Sequence, residues 1–84
     1  MEIRISEKAA RELDRIPEPI FTKIKEKIEN LSRNPQPASA KRLTVWPGFR
    51  IRVGDYRLLY EIDQKHNRII VYRIRHRKDV YRNP

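Results

Sequence analysis

The groups in this chain best suited to chemistry are a set of arginines and a tail that joins an imidazole to a phenol. Arg50 and Arg52, Arg57, then Arg73 and Arg75 recur at even spacing in three strand-like runs, and His76, Arg77, Lys78 and Tyr81 follow the last of them. A guanidinium holds phosphate oxygens through a planar fork of donors. An imidazole or a phenol can move a proton or stack on a base. Together they suit an anionic partner that carries bases. Other chemistries are poorly served. The chain has no cysteine, which excludes thiolate zinc sites, disulfides and cysteine nucleophiles. His66 and His76 lack the carboxylate spacing of a metal site, and two glycines, Gly48 and Gly54, cannot build a glycine-rich phosphate loop. No metal or cofactor is expected.

The arginines need strands to aim them. Gly54-Asp55 is a two-residue turn of the glycine-first type between Phe49–Val53 and Tyr56–Tyr60, which predicts a tight hairpin. Such a loop sets Val53 opposite Tyr56, Arg52 opposite Arg57, Ile51 opposite Leu58 and Phe49 opposite Tyr60. Alternation then places the apolar residues on a core face and Arg50, Arg52 and Arg57 on the other. Like charges directly opposite each other destabilise a sheet, so Arg52 facing Arg57 calls for an external anion. In the run Ile69–Arg75 the same parity assigns Ile70, Tyr72 and Ile74 to the core, pairs Tyr60 near Tyr72 or Ile70, and adds Arg73 and Arg75 to the basic face. Leu59 and Val71, apolar but on that face by parity, become candidates for partner contact.

With 84 residues the chain forms one small domain spanning 1–84. The formal charge of +9 is uneven: residues 1–40 hold 8 Lys/Arg against 7 Asp/Glu, whereas residues 41–84 hold 12 against 4. Positive potential therefore belongs to the strand half, as expected for a phosphate-bearing partner, although an acidic protein or an anionic membrane would also be attracted by it. No apolar run reaches membrane length and no signal-peptide core is visible, so a cytoplasmic location is expected.

The first half reads as scaffold. Met1–Ile5 alternates as a short strand, and Ser6 caps a helix that Pro17 stops near Ile16. A second helix from about Pro19 carries Ile20, Phe21, Ile24, Ile28 and Leu31 as an amphipathic stripe. Residues 34–40, with Pro35 and Pro37, form a connector, and Lys41–Trp46 forms a short strand or an extended lead-in. The expected fold is α+β: an N-terminal strand and helical hairpin packed on a twisted antiparallel sheet, one sheet face open, with a short C-terminal tail.

Pro47–Ile62 and His76–Tyr81 together resemble the RelE/ParE superfamily of small toxins from prokaryotic toxin-antitoxin modules. Within it they are most similar to the RelE-type ribosome-dependent mRNA endonucleases, and the resemblance covers nearly the whole chain. It implies cleavage of mRNA in the ribosomal A site: a 2′-hydroxyl attacks its own 3′ phosphate, leaving a 2′,3′-cyclic phosphate and a 5′-hydroxyl. By position, Arg57 would bind the scissile phosphate, Arg77 would stabilise or protonate the leaving group, with Arg75 as its alternative, and Tyr81 would stack on a base. Arg50 and Arg52 stand where some members carry lysines credited with base or phosphate roles; a guanidinium cannot serve as a free base at neutral pH, which makes His76 the expected base. Arg73, Arg75 and Lys78 complete the RNA-binding set. The partners implied are a RelB-like cognate antitoxin, the ribosome and mRNA; the alternatives are a ParE-type toxin that inhibits DNA gyrase without a nuclease site, or a basic RNA-binding module with no chemistry.

Overall fold

A computed structural model describes residues 1–78. Five strands, β1 (Glu2–Ile5), β2 (Lys41–Arg42), β3 (Phe49–Val53), β4 (Tyr56–Asp63) and β5 (Arg68–His76), form one sheet in the order β1-β5-β4-β3-β2. Helices α1 (Glu7–Asp14) and α2 (Ile20–Leu31) pack on it. Ser6 joins strand to helix. Its Oγ accepts the Ala9 N–H at 3.0 Å as an N-cap, while its own N–H and O–H donate to the Val71 and Tyr72 carbonyls of β5. The α-helical turns of α1 end at Asp14, short of Ile16, because Arg15 and Ile16 donate to carbonyls three residues back and tighten the last turn before Pro17. From α2, Ile24, Ile28 and Leu31 are buried against the sheet.

The hairpin register matches the expected one, with Phe49 opposite Tyr60, Ile51 opposite Leu58, Arg52 opposite Arg57 and Val53 opposite Tyr56. Gly54 takes φ +59°, which the first position of this turn demands. Two features depart from expectation. The sheet is mixed, since β1 runs parallel to β5, with Ile5 opposite Val71; the chain leaves β1 through the helices and re-enters β5 in the same direction. A register shift at Leu59/Tyr60 also sets Leu59 opposite Arg73 but Tyr60 opposite Val71, leaving Tyr72 as the extra residue of a bulge. Parity therefore reverses across it. Ile69 and Val71 are fully buried while Ile70 and Tyr72 are only half-buried, correcting the core assignment of Ile70 and Tyr72 and the partner-contact assignment of Val71.

At the centre of the core, fully buried Tyr60 stacks on Phe49 at 5.6 Å and donates its hydroxyl to the Pro35 carbonyl at 2.7 Å, tying the connector to the sheet. Burial pushes its phenol from 10.0 up to about 12. Ionisation is thus easier in the unfolded chain, so the contribution is intact below pH 10 and is lost as pH rises toward 12. Chemical denaturation across that window should show Tyr60→Phe losing less stability than the wild type, by up to about 1 kcal/mol per pH unit. Equal slopes would place the alkaline sensitivity elsewhere.

Candidate active site

On the face away from the core, three arginines stand side by side across three strands: Arg52 on β3 is opposite Arg57 on β4, which is opposite Arg75 on β5. The hairpin register places the first pair, and the short stretch of β5 beyond the bulge places the third. Arg77, just past β5, joins them because its N–H donates to the Asp55 carbonyl at 2.6 Å, fastening the start of the tail to the hairpin turn. Arg52, Arg57 and Arg77 then line one cleft of about 150 Å³ with Gly54, Asp55 and Tyr56. Such an array is well shaped for an anion, since several guanidinium forks can engage the oxygens of a single phosphate. A larger cavity of about 510 Å³, lined by Asn34, Gln36, Ile62, Gln64 and Asn67 among others, offers amides and apolar carbon but no Lys, Arg, Asp or Glu side chain.

His76 closes β5 opposite Tyr56, their rings edge to face at 5.1 Å and 89°. Its Nδ1 lies 3.2 Å from the Lys78 N–H and accepts from it, so the neutral ring carries its proton on Nε2. In that state the ring offers a donor, and it becomes a base once the Lys78 N–H is withdrawn. Lys78 is exposed beside it, and Arg50 flanks the row on β3, opposite Leu59. Arg73 is held differently from the other candidates: Glu12 of α1 takes its Nε and Nη2 at 2.9–3.2 Å and the Ile74 N–H at 2.8 Å. The carboxylate replaces a neighbouring strand where β1 has ended, and nothing local in the sequence signals a partnership 61 positions long. Tyr81 lies outside the described residues. Asp55 and Tyr56, which orient Arg77 and His76, were not among the sequence candidates; their contributions come through a backbone carbonyl and a ring edge, neither visible from residue type.

Removing the Glu12 carboxylate leaves a half-buried guanidinium and a strand-edge N–H without their acceptor. Glu12→Ala should therefore cost about 2 kcal/mol in urea denaturation. A change under about 0.5 kcal/mol, the scale of an ordinary surface substitution, would show the tie to be dispensable.

The fold and cleft define a class that comparison with known proteins makes explicit. The family described as "ParE toxin of type II toxin-antitoxin system, parDE" matches residues 3–81, and the chain belongs to this family, within the RelE/ParE toxin superfamily. Toxin RelG of Mycobacterium tuberculosis is 35% identical over 82 residues, covering 95% of this chain and 94% of that protein. The toxin-antitoxin complex RelBE2 of the same organism contains a chain with TM-score 0.78 and 34% identity, covering 90% of this chain and 96% of that one. A chain of the RelB-RelE antitoxin-toxin complex from Methanococcus jannaschii gives TM-score 0.79 at 26% identity, covering 96% and 98%.

Proposed function

We propose that this toxin is a ribosome-dependent mRNA endonuclease that arrests translation by cutting mRNA in the A site. The observation that carries the reading is the row Arg52, Arg57, Arg75 with Arg77 brought into the same cleft. In-line attack of a 2′-hydroxyl on its 3′ phosphate forms the P–O2′ bond and breaks the P–O5′ bond. The intermediate gathers negative charge, and preorganised guanidinium groups stabilise it where that charge develops. Arg57, central in the row, takes the non-bridging oxygens. Arg77 donates to the departing 5′ oxygen, His76 takes the 2′ proton after releasing Lys78, and Tyr81 stacks on the base. The cognate antitoxin is a RelB-like segment that covers apolar surface and sets carboxylates against the arginines; related chains solved as RelB-RelE complexes support that partner.

Primer extension on mRNA from a translation reaction given the purified protein tests this reading. Cuts within codons should appear with the wild type and vanish with Arg57→Ala/Arg77→Ala. The match to a family described by the name ParE favours a second reading, a gyrase-directed toxin, and absence of cuts with growth still arrested would select it. His76→Gln keeps an N–H donor but supplies no base, so it should slow cleavage about 10²-fold. A retained rate would leave His76 as a donor only.

A further inference from the structure

Among the described residues, the two most exposed large apolar side chains are neighbours. Val45 and Trp46, 84% and 66% exposed, sit side by side in the loop between β2 and β3. The loop is closed at its base, where the Leu43 N–H donates to the Gly48 carbonyl at 3.0 Å, and Gly48 lies against the backbone of β4. The indole is thus held out from an anchored support. An aromatic ring of that size gains much from burial by a partner.

The surroundings indicate which partner. Lys41 of β2 is opposite Arg50, which shares a face of β3 with Arg52, and Arg52 is opposite Arg57. A track of cations therefore runs from the foot of the loop to the arginine cleft. From Phe49 to Val53 the strand covers about 13 Å, the length of roughly four stacked nucleotides at about 3.4 Å each. Protein docking needs an apolar area far wider than two side chains. A loop that exposes a flat π-face and leads directly into the strand bearing these cations instead matches a polyanion that carries flat bases.

We propose that the Trp46 loop is a base-stacking platform for single-stranded RNA, a second site a few nucleotides from the cleft and joined to it by Lys41, Arg50 and Arg52. The inference rests on the reading of the cleft as an RNA site and extends it to a residue that the reaction itself does not use. Every base offers a π-face, so the platform adds affinity and positions the strand without reading sequence.

Trp46 is the single tryptophan of the chain, so its emission reports on this loop alone. The whole protein would be titrated at low salt with uncleavable 2′-O-methyl oligoribonucleotides, one just long enough to fill the cleft and one long enough to reach the loop. Anisotropy of the labelled RNA would follow binding independently. The long oligonucleotide should quench Trp46 and the short one should not, and Trp46→Ala should shrink the affinity advantage of the long over the short about tenfold, with Trp46→Phe restoring part of it. Unchanged emission with both oligonucleotides would overturn the platform whatever the cleavage result. So would an emission shift produced by anionic phospholipid vesicles but not by RNA, which would make the loop a membrane contact. Quenching by the long oligonucleotide together with failed primer extension would keep the platform and reject the nuclease reading.

Discussion

Arg57→Ala is expected to lower mRNA cleavage on programmed ribosomes by about 10²- to 10³-fold, the loss typical when one preorganised donor to a developing oxyanion is removed. Arg57 holds the middle of the row, flanked by Arg52 on β3 and Arg75 on β5, and it lines the cleft that Arg77 also enters. Its direction makes the effect separable from folding. The side chain points away from the core, on the face it shares with Arg52 and Arg75. The melting temperature should therefore fall by no more than a few degrees. Arg57→Lys keeps the charge but not the bidentate fork, and should recover only part of the rate. A large loss of stability in Arg57→Ala would mean that the residue is structural, and full activity would remove it from the phosphate site.

The largest effect on stability is expected at Gly48. It adopts φ +126°, a region that side-chain-bearing residues rarely enter, and a Cβ there would lie 2.5 Å from the Tyr60 carbonyl oxygen, a backbone atom in the middle of β4. Backbone strain of roughly 1–3 kcal/mol adds to a clash that no side-chain rotation relieves. Gly48→Ala should lose on the order of 3 kcal/mol, which for a domain of this size lowers the melting temperature by roughly 12–24 °C. The total stability of such a domain is about 4–12 kcal/mol, so this one substitution removes a quarter or more of it. Gly54→Ala is the control. At φ +59° it enters the left-handed region, but its Cβ meets only the Ile20 Cδ1 at 3.1 Å, the far end of a flexible side chain. About 1–2 kcal/mol is expected there. Equal melting points for the two variants would show that the close approach of the β2–β3 loop to β4 is not maintained in solution.

The uneven success of reading this chain follows the range of the interactions involved. The β3–β4 register was legible because a two-residue turn and strict alternation are local, and Phe49 to Tyr60 spans only the hairpin. The Ser6 cap and the α2 stripe were legible for the same reason. On β5 alternation alone assigns Ile70, Tyr72 and Val71 to the wrong faces, since every residue from Ile69 to Tyr72 is apolar or aromatic and an extra bulge residue leaves no mark in such a run. Arg73 shows the same limit for charge. Its parity assigns it to the basic face, but Glu12, on a helix near the other end of the chain, holds it.

The residues alone thus determined the α+β class, the hairpin and the convergence of Arg52 with Arg57, because spacing and alternation dictate which way neighbouring side chains point. Only the tertiary structure decided that β1 lies parallel to β5, that Val71 turns inward, that Arg73 belongs to Glu12 and that the Asp55 carbonyl draws Arg77 into the cleft. Those outcomes depend on backbone hydrogen bonds and packing between segments far apart in the chain, around a core that includes Tyr60 and Ile51.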